Sequence, residues 1–297
     1  MAFDAATGKM LLFGGHVRSV NGPFPFSAPM NDTWSWDGKQ WSALPATTGL
    51  VARTQASMAY DATRHVIVMQ GGFLADGAFV NETWTWNGTS WSLTNPGETP
   101  PAGGGRQPTT WDGPNGVVIL FDDTARSAYW NLAAAGTELN QTWSWNGTSW
   151  KRLQVTGTPS GHGSTPASIA YDSARRSTVF FGHVNGVPTT WTFDGSTWIQ
   201  ASTAGPASLD FALAPDDANQ VVVLFGEHGD TWTWDGTAWT AKNPPHSPSP
   251  RQQEAMAYDS ARHVVVLFGG ATTDSTGRDV QLNDTWTWNG SDWTRVG

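Results

Sequence analysis

The stretch Thr-Trp-Thr-Trp-Asn-Gly-Thr-Ser-Trp at residues 83–91 decides the fold of this 297-residue chain. Its pattern is Thr-Trp-x-Trp, then Asp or Asn, Gly, two further residues and a third Trp. The pattern occurs six times, and only Phe193 departs from it, in place of the second Trp of the fourth copy. The first Trp of each copy is Trp34, Trp84, Trp143, Trp191, Trp232 or Trp286, and the third is Trp41, Trp91, Trp150, Trp198, Trp239 or Trp293. A constant core at unequal intervals predicts a repeated scaffold with loops of different length.

A second pair of segments lies upstream of each copy. Before the second copy, Met-Ala-Tyr-Asp at 58–61 precedes an apolar run at 66–72 that ends in Gly-Gly, and residues 256–259 and 264–270 repeat this order before the sixth. Each unit therefore reads as four strands: one ending at Ala-Tyr-Asp, an apolar one, the Thr-Trp-x-Trp strand, and one that begins at the third Trp. The Asn-Gly and Asp-Gly pairs between the third and fourth strands predict tight hairpins.

These units resemble the kelch repeat of bacterial β-propellers in the galactose oxidase/kelch-like superfamily. That repeat closes its second strand with Gly-Gly, carries a spaced aromatic in the third and opens the fourth with Trp. The resemblance implies an all-β, six-bladed β-propeller of four-stranded antiparallel blades around a central channel, with strand one innermost. So small a unit cannot bury its apolar faces alone, and neighbouring blades must stack. We expect one domain over residues 1–297, with blades at approximately 1–45, 53–96, 106–155, 164–203, 208–243 and 251–297.

The composition argues against several classes of function. The net charge is −9 and no basic stripe runs along the chain, so nucleic acid is not an expected partner. No run of about 18 apolar residues is present, which argues against membrane insertion. The absence of Cys removes the Cys-linked Tyr cofactor that the galactose-oxidase branch requires. We expect a monomer, and the Trp-rich, Lys-poor composition favours an extracellular or cell-envelope location, although no signal peptide is visible.

The tryptophans of the repeat are expected to be structural rather than a row of sugar-binding platforms. A Trp side chain buries roughly 200 Å² in a core, and a Trp at the same position of every blade fits packing between blades. Only Trp130 stands outside the repeat scheme.

The antiparallel order of the strands sorts the loops onto two faces. The short turns after strands one and three share one face, and the longer connections after strands two and four share the other. Functional residues concentrate in loops held by a rigid scaffold, so we expect the site on the second face.

The residues at the Gly-Gly position indicate which blades carry the expected site. Blades one, two and six keep the pair at 14–15, 71–72 and 269–270. In the next three blades the second Gly is replaced, within Asp122-Asp123, Gly182-His183 and Gly226-Glu227-His228. These changes fall at equivalent points on one face in three consecutive blades.

The substituted residues suit two kinds of chemistry. Asp123, His183, Glu227 and His228 carry the oxygen and nitrogen ligands that zinc, iron or manganese accept. The same four side chains are candidate catalytic residues, either around a water-activating divalent metal or as a metal-free acid/base pair. The alternative is that polar residues at a channel mouth are merely solvated.

A second set of residues forms candidate ligand contacts. Arg53, Arg106 and Arg251 occupy similar places before the first strands, and Gln55, Gln107 and Gln253 lie beside them. His16, Tyr129 and Trp130 come from the long loops after strand two and are candidate rim residues. An Arg that opens an inner strand also has a structural alternative, in which it binds loop carbonyls or pairs with a carboxylate.

Two classes of function remain. The first is a binding module that holds a small ligand, glycan or peptide at the channel mouth, on the face of the strand 2–3 and 4–1 loops. The alternative is a metal-assisted hydrolase, lyase or isomerase that uses the Asp/His/Glu cluster on the same face. Because fold alone does not supply chemistry, binding ranks slightly ahead.

Overall fold

A computed structural model describes residues 1–16, 29–102, 107–122, 140–160 and 167–297. Within these ranges all regular secondary structure is β, and no helix is long and apolar enough to cross a membrane. The chain divides into two compact units, Met1–Val155 and Thr156–Gly297. Each contains three four-stranded antiparallel sheets, so the predicted class, an all-β six-bladed β-propeller, is confirmed. The division into one domain with the stated blade limits stays a prediction.

The first unit holds blades 1 to 3, each built from four strands in sequence order. Its strands are β1 (Ala2–Asp4), β2 (Lys9–Phe13), β3 (Thr33–Trp36), β4 (Trp41–Leu44), β5 (Ser57–Asp61), β6 (Val66–Gln70), β7 (Thr83–Trp86), β8 (Trp91–Thr94), β9 (Thr109–Asp112), β10 (Val117–Asp122), β11 (Gln141–Trp145) and β12 (Trp150–Arg152). The first strands of neighbouring blades, β1, β5 and β9, lie beside one another.

The second unit holds blades 4 to 6 and adds one small hairpin. Its strands are β13 (Ser168–Asp172), β14 (Ser177–Val184), β15 (Val187–Phe193), β16 (Trp198–Ser202), β17 (Phe211–Asp216), β18 (Val221–Gly226), β19 (Thr231–Trp234), β20 (Trp239–Lys242), β21 (Ala255–Asp259), β22 (Val264–Phe268), β23 (Ala271–Thr273), β24 (Asp279–Gln281), β25 (Thr285–Trp288) and β26 (Trp293–Arg295). The pair β23–β24 is a two-stranded hairpin inserted between the second and third strands of blade 6, and the repeat pattern did not predict it.

Turn chemistry explains why the strands end where they do. Between β7 and β8, Trp86 pairs with Trp91, so the predicted hairpin is present but its loop has four residues rather than two. The side chain of Asn87 accepts the backbone N–H groups of Thr89 and Ser90 at 3.0 Å each. Gly88 follows with φ of +94°, a conformation that favours glycine. The Asn-Gly signal therefore closes the hairpin through an Asn side chain that caps the turn.

The hydrophobic core lies between neighbouring blades of each unit. Leu11 and Phe13 of blade 1 pack with Ile67, Met69 and Trp86 of blade 2. Equivalent clusters join blades 2 and 3, blades 4 and 5, and blades 5 and 6. The repeat tryptophans that belong to these clusters are packing residues, in agreement with their expected structural role.

A hydrogen bond between neighbouring blades accompanies this packing. The third repeat Trp donates its indole N–H to the Thr of the Thr-Trp-x-Trp motif in the preceding blade. In the described residues these bonds join Trp91 to Thr33 (3.1 Å), Trp150 to Thr83 (2.9 Å), Trp239 to Thr190 (2.8 Å) and Trp293 to Thr231 (2.9 Å). The Thr of the Thr-Trp-x-Trp motif therefore lies in the sheet of one blade and accepts a hydrogen bond from the next blade.

Replacing Thr83 with Val should destabilise the first unit by about 1–3 kcal/mol, because it leaves the buried Trp150 indole N–H without its acceptor. The same change also removes the 2.6 Å bond from the Thr83 hydroxyl to Gln70. Urea unfolding followed by tryptophan fluorescence measures the loss. The matched control is Thr48→Val at an exposed position of the same unit, which should change little. Equal unfolding midpoints for T83V and wild type would contradict a stabilising role for the bond.

Candidate functional site

The candidate site of the second unit lies where the loops after β18 and before β17 and β21 meet. Glu227 stands immediately after β18, in a tight turn closed by the Gly226 N–H, which donates to the Asp230 carbonyl at 2.9 Å. The Glu227 N–H donates to the Asp210 carbonyl, also at 2.9 Å. Backbone hydrogen bonds therefore hold the segment around Glu227 in place independently of the Glu227 side chain.

The Glu227 carboxylate bridges blades 5 and 6. One oxygen accepts the Leu209 backbone N–H at 2.9 Å, and the other accepts the Gln252 side-chain amide at 2.7 Å. Asp210 joins the same group, because its carboxylate accepts the Gln253 N–H at 3.3 Å. The Glu227 side chain keeps 17% of its surface exposed. The result is a carboxylate with a fixed direction at the loop face.

These contacts decide the ionisation of Glu227. Burial alone would raise the pKa of Glu227, but hydrogen bonds from the Leu209 N–H and Gln252 outweigh burial and lower it from its usual value. The nearby His228 acts in the same direction. Glu227 is therefore an anion at neutral pH.

His183 lies in the strand rather than in a loop. β14 continues directly into β15 through Asn185 and Gly186, whose φ values of +53° and +79° make a two-residue hairpin. His183 is 1% exposed, and its ring lies 5.7 Å from that of Phe181, edge-on, and 6.4 Å from that of Phe211. Burial lowers the pKa of His183, against opposing effects of the Pro206 backbone and the Glu227 charge. The imidazole is neutral at pH 7 and enclosed by rings.

Three of the four predicted metal ligands, His183, Glu227 and His228, lie within the described residues. His228 is exposed over 74% of its side chain, and its Nδ1 lies 4.0 Å from Glu227. Asp123 falls outside the described residues. Among the residues that are described, no three His, Cys, Asp or Glu side chains are grouped closely enough to hold a metal ion. The zinc, iron or manganese site and the catalytic roles of these four residues stay predictions.

Two of the predicted arginines are buried inside their own blades. Arg53 is 1% exposed, donates to the Gly71 carbonyl at 3.1 Å and pairs with Glu82 at 2.7 Å. Arg251, also 1% exposed, repeats this in blade 6 with the Gly269 carbonyl at 3.0 Å and Asp284 at 2.7 Å. Both guanidinium groups therefore brace the loop backbone. Arg106 falls outside the described residues.

The buried arginines also give a structural reason for the diglycine pairs. A Cβ on Gly72 would lie 2.9 Å from Cδ of Arg53, and one on Gly270 would lie 2.8 Å from the Gln252 carbonyl oxygen. Side chains are therefore excluded where the arginine segment passes the end of strand two. In blade 5 the place of the arginine side chain is taken by Ser208, which bonds Asp230 at 3.2 Å.

The predicted glutamines occupy three different environments. Gln253 is exposed with φ of +62°, and Gln55 has the corresponding conformation in blade 2, with φ of +60°. Gln107 is buried, and its amide donates to the Pro101 carbonyl at 2.8 Å and to Asp122 at 3.0 Å. Of the three, Gln253 alone lies in the Glu227 group.

Of the rim residues, only His16 lies within the described ranges; Tyr129 and Trp130 fall outside them. The Nδ1 atom of His16 lies 3.2 Å from the Thr54 hydroxyl, in the first unit. With Thr54 it lines a depression on the surface of blades 1 and 2.

Sequence reasoning missed the acidic residue that precedes Thr-Trp in four copies. Each of these carboxylates accepts the indole N–H of the Trp two residues later. They are Asp32, Glu82, Asp230 and Asp284, at 2.6–3.0 Å. Two of them, Glu82 and Asp284, are the partners of the buried arginines. The signal was present in the recurring Asn-Asp-Thr-Trp and Asn-Glu-Thr-Trp strings.

Comparison with known proteins gives the fold. No protein-family model and no curated protein matches the chain. Among solved structures, YjhT is 15% identical with a TM-score of 0.60, covering 90% of this chain and 91% of its own. The SapL1 lectin in complex with alpha methyl fucoside is 12% identical with a TM-score of 0.56, covering 90% of both chains. A chain of the nidogen/laminin complex is 10% identical with a TM-score of 0.53, covering 93% of both.

At such identities the likeness establishes the β-propeller fold alone. The narrower resemblance to kelch repeats stays a prediction.

Replacing Glu82 with Gln should lower the free energy of unfolding by about 1–3 kcal/mol, because it removes the charge that faces the buried Arg53. Although burial would raise the pKa of Glu82, the bonds from Trp84 and Arg53 lower it below its ordinary value. The stabilisation is therefore fully present above that ordinary value and is lost as the pH falls through the lowered one. Urea unfolding at several pH values measures the difference between wild type and variant.

That difference should stay constant down to about pH 5 and shrink in more acidic solution. The matched control is Glu98→Gln, an exposed position of the same unit, where no difference is expected at any pH. A difference between wild type and E82Q that widens in acid would contradict the assignment.

Proposed function

We propose that this protein is a binding module that holds a small polar ligand, a glycan or a peptide, on the loop face of blades 5 and 6, with Glu227 as the anchoring acceptor. The observation that carries the proposal is the fixed, ionised carboxylate held by Leu209 and Gln252. Each carboxylate oxygen can accept two hydrogen bonds, so acceptor capacity remains for hydroxyl or amide donors of a ligand. Leu209, 51% exposed, adds an apolar surface beside it.

The pKa directions favour binding over acid/base catalysis. A general acid or base works best with a pKa near the operating pH. Glu227 and His183 are both shifted downward, away from neutrality, and His183 is enclosed as well. A group that keeps its charge and direction suits recognition, because no rearrangement is needed when a donor arrives.

The solved structures support the same class of function without naming a ligand. One structurally similar propeller is a lectin in complex with a methyl fucoside, and another is part of a nidogen/laminin complex. A propeller fold is thus used for glycan and for protein binding. The metal-assisted alternative depends on Asp123 and stays a prediction, as do the monomeric state and the extracellular or envelope location.

Replacing Glu227 with Gln should weaken ligand binding about 10-fold to 100-fold, the effect of losing a hydrogen bond to a charged acceptor. Arrays of immobilised glycans and of peptides, probed with labelled protein, identify the ligand, and titration of the strongest hit gives the dissociation constants. Glu98→Gln makes the same change at an exposed position of the other unit and should leave binding unchanged. Equal affinity of E227Q and wild type for that hit would remove Glu227 as the anchor.

The pH dependence of binding provides a second measurement. Because the pKa of Glu227 is lowered, the carboxylate stays ionised as the pH falls from about 8 to 5, and affinity for an uncharged ligand should be constant over that range. Affinity should fall only in more acidic solution, where the carboxylate takes up a proton. Titrations with the array hit at successive pH values measure the profile. A midpoint at about pH 6–7, where ordinary histidines titrate, would point to an imidazole anchor instead.

A further inference from the structure

The surface of blades 1 and 2 carries a shallow, open depression. Pro29, Phe73, Leu74 and Ala75 form the apolar part of its lining, and the polar part comes from His16 and Thr54. It belongs entirely to the first unit, whereas Glu227 belongs to the second.

Backbone hydrogen bonds hold the walls of this depression in place. Thr54 and Phe73 exchange two bonds, at 3.0 and 2.8 Å, so the segment before β5 is paired with the loop after β6. That loop is a short hairpin closed by the Leu74 N–H, which donates to the Ala78 carbonyl at 2.9 Å. The Phe73 ring packs against Phe79 with centroids 4.8 Å apart. Phe73 is therefore held in place by the hydrogen bonds of its own backbone and by the contact of its ring with Phe79.

The lining has the chemistry of a site for an uncharged, hydroxyl-bearing ring. No Lys, Arg, Asp or Glu lies among the described lining residues, so this part of the lining offers no counter-charge to a charged ligand. The imidazole of His16 and the hydroxyl of Thr54, 3.2 Å apart, give donors and acceptors at one edge. Phe73 gives an aromatic surface whose electron-rich face attracts the weakly positive C–H groups on one side of a sugar ring.

The corresponding place in blade 6 has the same backbone pairing but different side chains. There Gln252 and Ala271 exchange the same two backbone bonds, each at 2.9 Å. The scaffold is repeated, but Gln252 stands for Thr54 and Ala271 for Phe73. The aromatic wall and the hydroxyl edge therefore do not follow from the backbone geometry, which tolerates Ala at the Phe73 position.

We infer that the depression lined by His16, Thr54 and Phe73 binds a neutral pyranose sugar, as a second site separate from Glu227. The ring stacks its apolar side on Phe73, and its hydroxyls bond the edge formed by His16 and Thr54. A shallow site buries little ligand surface, so the affinity for a single sugar is weak, with a dissociation constant on the order of 1 mM.

Ligand-observed NMR on the full chain tests this assignment. The probes are the methyl glycosides of glucose, galactose, mannose and fucose, with glucuronate and glucosamine as charged counterparts. At least one neutral glycoside should show saturation transfer, and the charged sugars should bind more weakly. Phe73→Ala should weaken the neutral sugar about 5-fold to 10-fold, as expected for loss of an aromatic contact, and Thr54→Val should weaken it as well.

Matched variants separate binding from folding. Phe73→Tyr keeps a ring and should retain binding, and Thr54→Ser keeps the hydroxyl and should restore it. The effect of Phe73→Ala should be the same in a Glu227→Gln background, where the proposed anchor is removed, so failure here is distinguishable from failure of the proposed function. The inference is overturned if no neutral glycoside binds at concentrations up to about 20 mM, if F73Y binds as poorly as F73A, or if E227Q rather than F73A abolishes the signal.

Discussion

The indole N–H of the third repeat tryptophan has an acceptor inside the protein at four joints between blades, which avoids the cost of an unpaired buried donor. Its acceptor is the hydroxyl of the Thr of the Thr-Trp-x-Trp motif in the preceding blade. That bond fixes the fourth strand of one blade against the third strand of its neighbour, and the aromatic core fills the space between them. Loop lengths can then vary, because this bond and this core join the blades independently of the loops.

Beneath the loop face, the carboxylates that precede Thr-Trp connect this frame to the loops. Glu82 and Asp284 each accept an indole N–H from the frame and hydrogen bonds from an arginine in the segment that precedes the first strand of the same blade. These arginines pair with the carboxylates and hydrogen-bond the loop backbone, and their side chains are therefore buried. Glu227 differs because its hydrogen-bond partners are a backbone N–H and an amide, and no arginine pairs with it.

The fold could be read from the sequence because its signals are local: the tryptophan spacing, the Asn-Gly turns and the apolar second strands lie within a few residues of one another. The candidate site could be read only in part. Glu227 was found from the interrupted diglycine, but its partners Leu209 and Gln252 come from other segments. The missing second glycine predicts a loop position for His183, but the two-residue Asn185-Gly186 turn extends the strand through it.

The tryptophan–threonine contact has a consequence for the evolution of the repeats. Donor and acceptor are the same pair at every joint where the bond is described, so any blade presents the same chemistry to any neighbour within its unit. Duplicating or exchanging a whole repeat would create no mismatched joint. Diversity can therefore accumulate blade by blade in the connecting segments while the joints stay interchangeable.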